Sequence, residues 1–198
     1  MGQRRAQVLQ AAIELLDEVG LDALSMRLLA GRLGVRASAL YRHYPSKQAL
    51  LDAMVAHLVG PAGDATPLPD TPWEELLRGV ASGMREVMLA HRDGARLISG
   101  FHRPGDEAVA VFHHLIATLI AAGVPAGPAA VAVDTVLAYA NGYTIEEQAR
   151  KAGVDGWPRQ RRDRAFHAGL ELIITGVRGS LPVSDAENVE AAPSQVDQ

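Results

Sequence analysis

Apolar side chains recur every three or four residues along most of this chain of 198 residues, which is the spacing of one face of an α-helix. Proline and glycine interrupt the pattern most densely at 60–72, so this stretch predicts a linker. The pattern predicts three helices followed by a connecting helix over residues 1–59, and a larger helical unit over residues 73–181. The polar residues 182–198 predict a disordered tail. Because no segment alternates as a strand would, the sequence predicts an all-α protein with a small N-terminal domain and a larger helical domain.

The most distinctive part of the first domain is the stretch Ser25–Lys47. Ser25 can accept a backbone N–H at the start of one short helix, and Gly34 can adopt the left-handed conformation that ends it. A second short helix is expected over Ala37–Tyr44 and should end at Pro45. Two short helices joined in this way are typical of a helix-turn-helix that reads DNA, but also of a purely structural helical hairpin.

The outward side chains of this stretch have the chemistry that DNA binding requires. Arginine can bond guanine edges or phosphate, serine, tyrosine and histidine can donate to phosphate, and an alanine methyl can contact thymine. A lysine in the first turn of the next helix would favour a phosphate, since the helix N-terminus is also positive. The candidate DNA-binding residues are Ser25, Arg27, Arg36, Ala37, Ser38, Ala39, Tyr41, Arg42, His43 and Lys47.

The charge distribution supports the DNA-reading interpretation. The chain has a net charge of −4, but residues 1–50 carry seven basic and four acidic side chains, a net charge of +3, whereas the rest carries −7. A basic domain joined to an acidic one is expected when only one end of a protein meets phosphate. The hydrophobic content of 48% is enough for a sizeable core.

Several functional classes are disfavoured by composition. There is no cysteine, so disulfides and thiolate metal sites are excluded, which fits a cytoplasmic protein. The longest uncharged run, Ala108–Val133, is interrupted by histidines, glycine and prolines, so we expect buried helices and no membrane span. No Ser-His-Asp, Cys-His or paired-carboxylate arrangement is evident, so we do not expect an enzyme.

The second domain predicts four long helices. The first follows a capping box in which Thr71 is the N-cap, Pro72 is N1 and Glu74 is N3. Residues 91–97 should form a turn, and 150–163 a loop. The remaining helices are expected over Ala108–Ala122, over Ala129–Lys151 and from about Asp163 onward. The last two show apolar surface on more than one face, which predicts a four-helix interface between two copies of the chain.

Two segments carry a resemblance to a known family. GVRASALYRHYPSKQALLDAM resembles the signature that closes the DNA-binding domain of the tetracycline-repressor (TetR) family, and AAIELLDEVGLDALSMRLLAGRLGV resembles the helices before it; together they cover Val8–Met54. AHRDGARL and FHAGLELIITGV are similar, more weakly, to the ligand-binding domain of the tetracycline-repressor subgroup. The resemblance implies a homodimeric repressor whose reading helices occupy successive major grooves of a palindromic double-stranded DNA operator, and which a small-molecule effector releases.

The sequence departs from that subgroup where the drug is held. Tetracycline-sensing members use a histidine, an asparagine and a glutamine, and the matching places here hold Ile98 or Ser99, Val80 and Leu115. The resemblance therefore implies a different, hydrophobic effector and no metal or other cofactor. The candidate ligand-binding residues are Val80, Met84, Met88, Ile98, Phe101, His102, Phe112, Leu115, Leu119, Asn141 and Trp157.

Each of these residues also has a purely structural interpretation. A methionine or aromatic side chain at helical spacing is more often part of a core than of a pocket. Adjacent histidines such as His113 and His114 point about 100° apart on a helix and cannot chelate one ion together. Asn141 and Asp134 suit a ligand contact, a dimer contact or a satisfied interface hydrogen bond.

Two other functions remain open at this point. The chain could be a helical small-molecule-binding protein in which the hairpin is only structural. It could also be a helix-turn-helix protein that activates transcription or acts through another protein.

Overall fold

The computed structural model describes the backbone of residues 2–63, 71–100, 106–151, 156 and 158–179. Within these ranges the secondary structure consists of nine helices, and none of these residues forms a strand. The helices are α1 Gly2–Val19, α2 Met26–Arg32, α3 Ala37–Tyr41, α4 Lys47–Gly63, α5 Trp73–Ala90, α6 Gly94–Ser99, α7 Asp106–Ala121, α8 Ala126–Lys151 and α9 Arg159–Gly179. The predicted all-α class is confirmed.

The chain forms a head, residues 2–63, and a body, residues 71–179. The buried apolar side chains of the head form a first core, which also takes in Met88, Ala95, Leu97 and Ile98 from α5 and α6 of the body. A second core lies within the body and unites α5, α7, α8 and α9 around Leu77, Leu115, Val133, Phe166 and Leu170. Met84 of α5 packs against both cores. The head therefore shares its core with the body.

Helix α4 reaches further than the sequence indicates. It continues to Gly63, so the predicted end at Val59 and a linker beginning at residue 60 are wrong. Pro61 lacks the N–H that would extend the helical ladder, but α4 packs against α5, α6 and α7 of the body. The backbone is therefore helical through Gly60 and Pro61 despite the local helix-breaking tendency of these two residues.

The starts of two helices are set as follows. Helix α1 begins at Gly2 and contains Arg4 and Arg5. Helix α5 begins at Trp73 with Pro72 as N-cap and no side-chain cap. The predicted capping box, which needs Thr71 as the N-cap, is therefore wrong by one residue.

The body contains more helix than predicted. The segment expected to be a turn contains the six-residue helix α6, and α7 runs from Asp106 to Ala121. Helix α8 begins at Ala126, three residues early, because Pro128 falls in the first turn, where its missing N–H costs no helical bond. Helix α9 begins at Arg159, so 159–163 belong to a helix and not to a loop.

The turn between α5 and α6 joins the body to the head. The carboxylate of Asp17 accepts hydrogen bonds from the His91 ring at 2.9 Å and from the Arg92 backbone N–H at 2.9 Å. Asp93 adopts a left-handed conformation, φ 57°, and its Oδ2 accepts the backbone N–H of Leu21 at 2.9 Å. These bonds fix the orientation of the head relative to α5 and α6.

In the part of the chain that the structure describes, no helix is both long enough and apolar enough to cross a membrane.

Candidate DNA interface

Helix α2 is defined at both ends by its own sequence. Ser25 is the N-cap, and its Oγ accepts the Leu28 backbone N–H at 3.2 Å. Gly34 follows the helix with φ 64°, and the next N–H, that of Val35, returns to the Ala30 carbonyl at 3.0 Å. Glycine adopts this left-handed conformation more readily than residues that carry a Cβ. The predicted cap and stop of this helix are confirmed.

Helix α3 is shorter than predicted. It covers Ala37–Tyr41, so the expected span to Tyr44 is wrong by three residues. The N–H groups of His43 and Tyr44 both bond to the Leu40 carbonyl at 2.9 Å, which closes the helix in a tight turn. Pro45 disfavours a helical conformation in the residue before it, so the helix cannot continue.

Two buried side chains hold α3 against the rest of the head. Leu40 and Tyr44 are each 1% exposed and belong to the first core. The Tyr44 hydroxyl donates to the Arg5 carbonyl at 3.3 Å, and the Arg5 guanidinium lies 5.1 Å from the Tyr44 ring centroid. The inner face of α3 is therefore fixed, and its outer face is free to contact a partner.

The outer face carries most of the predicted DNA-binding residues. Tyr41 is 49% exposed although it is aromatic, which makes it one of the few large apolar side chains of the head that face solvent. The exposed candidates are Arg27, Arg36, Ser38, Tyr41 and Arg42, and the partly buried candidates are Ser25, Ala37, Ala39, His43 and Lys47.

The start of α4 adds a second positive element next to the turn between α1 and α2. Ser46 caps the helix by accepting the Ala49 backbone N–H at 3.0 Å. Lys47 is the first residue of α4, and its Nζ donates to the Leu21 carbonyl at 3.5 Å. An ammonium and the free N–H groups of a helix start are thus placed together, which is a suitable environment for a phosphate.

The acidic side chains of α1 and of the turn after it are engaged in ion pairs, and Asp52 of α4 accepts a hydrogen bond from Gln48. Glu14 and Glu18 pair with Arg32, while Asp17 and Asp22 pair with the body, Asp22 through a hydrogen bond from Arg96 at 2.8 Å. The hydrogen bond from Arg96 lowers the pKa of Asp22, as the one from Arg32 lowers that of Glu18.

The segment that contains the helix-turn-helix has no acidic residue between positions 23 and 51 but five basic ones. Among the residues that the structure describes, no ion pair involves Arg27, Arg36 or Arg42. The basic groups of this face are therefore available to an anionic partner. A short exposed helix with arginines at its edge fits the major groove, which is about 12 Å wide.

The candidate ligand-binding residues fall into two groups. Met88 and Ile98 are buried in the first core, and Leu115 and Leu119 in the second. Val80 and Phe112 pack against the second core, and Met84 touches both. The Oδ1 atom of Asn141 is buried and has no hydrogen-bond partner among the described residues. Phe101, His102 and Trp157 lie outside the described residues.

Two interacting groups in the body were not anticipated. Arg85 and Glu147 are 6% and 3% exposed, and they form a bidentate pair with distances of 2.9 and 3.1 Å, joined by Asp163 and Arg162. Gln148 donates to the Met88 and His91 carbonyls and accepts the Ala95 N–H. The only sequence signal was the presence of polar or charged residues on otherwise apolar helix faces, and this signal did not identify their partners.

No group of three or more histidine, aspartate or glutamate side chains is arranged to hold a metal ion among the described residues. His113 and His114 are both exposed on α7.

Two protein-family models match this chain. The model for bacterial regulatory proteins of the tetR family matches residues 8–54, and the model for the tetracyclin repressor-like C-terminal domain matches residues 66–162. The tetracycline repressor protein class A from transposon 1721 of Escherichia coli is 36% identical over 191 residues, which cover 86% of this chain and 88% of that protein.

Solved structures show the same relationship. A TetR variant from Acinetobacter baumannii AYE in complex with minocycline superimposes with a TM-score of 0.81 and 34% identity, covering 89% of this chain and 97% of that one. BioQ with its natural double-stranded DNA operator superimposes with a TM-score of 0.69 and 31% identity, covering 87% of this chain and 96% of that one.

Proposed function

The chain belongs to the TetR family of bacterial regulatory proteins, and from this we propose that it is a ligand-responsive homodimeric transcriptional repressor. It binds a palindromic DNA operator through its helix-turn-helix, and a small hydrophobic effector releases it. We assign it no catalytic role and place its action on DNA in the cytoplasm.

The observation that carries this proposal is the acid-free, exposed face around α3. Leu40 and Tyr44 fix the inner side of the helix, while Arg36, Tyr41 and Arg42 are exposed on the outer side. We assign direct base contacts to Arg36, Ala39 and Arg42, because these side chains lie on or beside the helix that would enter the groove. The remaining candidates are assigned to the DNA backbone or to the groove edge, and they are Ser25, Arg27, Ala37, Ser38, Tyr41, His43 and Lys47.

Dimer formation is supported by apolar side chains that one copy of the chain leaves exposed. Val131 on α8 is 65% exposed and Leu172 on α9 is 77% exposed. The same outer face of α8 carries the small residues Ala138 and Gly142, which permit close helix approach. We assign this face to the contact with a second copy, because a twofold axis would bury the same stripe on both chains.

Release of DNA follows from the connection between body and head. A hundredfold loss of operator affinity requires about 2.7 kcal/mol of coupling between the two binding events. To meet half-sites one turn of DNA apart, the α3 helices of the two copies must lie about 34–36 Å apart. The effector must therefore bind more tightly to a form of the dimer in which this distance is different. The bonds from Asp17, Asp22 and Leu21 to the α5–α6 turn and α6 provide the physical link.

The deciding experiment is selection of bound sequences from a random pool of double-stranded DNA by the purified protein near physiological salt, followed by sizing of the bound complex. We expect a palindrome bound by a dimer. A matched variant, Arg36→Ala with Arg42→Ala, leaves the buried side of α3 intact and should recover no palindrome. If the wild-type protein also enriches no motif, the chain is not a sequence-specific repressor, and the small-molecule-binding function is favoured.

A further inference from the structure

Asn141 is a polar side chain at the place where the two cores meet. It lies on α8 one turn after Leu137, which packs against the second core, and one turn before Ile145, which packs against the first. Met84 of α5 contacts both cores as well. Asn141 therefore lies in a largely apolar environment at the boundary between head and body.

The side-chain oxygen of Asn141 is buried, and no described residue donates a hydrogen bond to it. Buried carbonyl oxygens are almost always hydrogen-bonded, because an unpaired one loses its contacts with water without replacement. Neighbouring polar groups on α8 are already engaged: the Thr144 hydroxyl donates to the Ala140 carbonyl at 2.7 Å, and Gln148 holds the α5–α6 turn. Among the described residues, this acceptor therefore has no donor.

We propose that Asn141 Oδ1 accepts a hydrogen bond from the effector, so that the effector is a largely apolar molecule carrying a hydroxyl or N–H donor. This inference rests on the proposed function, since it specifies the ligand of the same regulator. Apolar residues around Asn141 supply affinity, and the single acceptor supplies specificity. An analogue without the donor would leave the oxygen unpaired and would bind more weakly.

The position of Asn141 also connects the effector with the head. Gln148 lies two turns further along the same helix, and its amide bonds to Met88, His91 and Ala95. His91 and its neighbours in turn bond to Asp17 and Leu21 of the head. A ligand that shifts α8 at Asn141 therefore acts on the helix that holds the α5–α6 turn in place.

The test uses two probes of nearly the same shape, 1-naphthol and 1-methylnaphthalene, of which only the first carries a donor. Equilibrium dialysis against the full-length, DNA-free protein gives the ratio of their affinities. We expect Asn141→Leu to reduce the preference for 1-naphthol by about tenfold relative to the wild type. Thr144→Val, which removes an already satisfied hydroxyl from the same helix, should leave the ratio unchanged.

A second variant, Asn141→Ala, gives the same readout if leucine does not fit the site. The proposal is overturned if both Asn141 variants keep the wild-type ratio within twofold, or if the wild-type protein binds neither probe. Because dialysis is performed without DNA, this failure is distinct from failure of the repressor function, which would appear as absence of an enriched palindrome.

Discussion

Asp93 provides a quantitative test of how the body is joined to the head. It combines two unusual features: a left-handed backbone, φ 57° and ψ 19°, and a carboxylate that accepts the Leu21 N–H at 2.9 Å across 72 positions of sequence. Aspartate, asparagine and glycine tolerate this backbone, whereas other residues are strained there. Substitutions at this one position can therefore separate the hydrogen bond from the backbone conformation.

Three variants lose different amounts of unfolding free energy, depending on whether they lose the hydrogen bond, the left-handed backbone conformation or both. Asp93→Asn keeps both an acceptor and tolerance of the left-handed conformation, so we expect it to lose at most about 1 kcal/mol of unfolding free energy. Asp93→Gly leaves the partly buried Leu21 N–H unpaired, which costs about 1–2 kcal/mol. Asp93→Ala loses the same bond and adds about 1 kcal/mol of backbone strain, so its loss should be about 2–3 kcal/mol.

The assay is urea unfolding followed by circular dichroism at one fixed protein concentration, because dimer formation makes stability depend on concentration. Glu86→Ala on the exposed face of α5 is the matched control and should change stability by less than about 0.5 kcal/mol. The reasoning is refuted if the alanine and glycine variants are as stable as the asparagine variant. Equal losses of stability in the alanine and glycine variants would refute only the contribution of the backbone conformation, and the contribution of the hydrogen bond would stand.

Four further outcomes are expected. Arg42→Ala should relax base preference in a binding-site selection. Lys47→Ala should lower the affinity for all DNA sequences alike and reduce the slope of log affinity against log salt by about one. Equal losses of affinity on every sequence for both variants would contradict this. Leu172→Glu should convert the dimer to a monomer in analytical ultracentrifugation and should abolish tight operator binding, and a variant that remains dimeric would exclude this face as the interface. Tetracycline with magnesium should leave the melting temperature unchanged, and an upward shift that requires magnesium would show that the apolar replacements do not exclude the drug. The hydrogen bond from Arg85 lowers the pKa of Asp163 below its ordinary value of 3.8. The stability that this ion pair contributes is therefore present at neutral pH and is lost as the pH falls below that value. Asp163→Asn should flatten this part of the curve of unfolding free energy against pH, measured by urea unfolding.

Features set by neighbouring residues could be predicted from the sequence. The caps formed by Ser25 and Ser46 and the turn at Gly34 each depend on atoms at most five residues apart. The length of α4 could not be predicted in this way, because the helix continues through Gly60 and Pro61, where local rules predict its end. Local rules apply where the partner of a group is nearby in the chain.

The same distinction explains what was missed at the functional sites. The outward side chains of α3 follow from helical periodicity, since Leu40 must face the core and its neighbours must then face away. Asp93, Arg85 and Gln148 each have hydrogen-bond partners between 53 and 78 residues away, and no pattern in the sequence specifies such pairs. The unpaired oxygen of Asn141 likewise becomes visible only when its surroundings are known.

Several bonds between head and body use main-chain atoms on one side. Asp17 accepts the backbone N–H of Arg92, the Arg92 guanidinium donates to the backbone carbonyl of Glu18, and Asp93 accepts the backbone N–H of Leu21. Main-chain groups are the same whatever side chain is attached. A head taken from another regulator could therefore dock on this body if it kept Asp17, the shape of the turn after α1 and the apolar side chains that share a core with Met88, Ala95, Leu97 and Ile98. The fold thus lends itself to chimeric regulators, in which one body and its effector control a different set of genes.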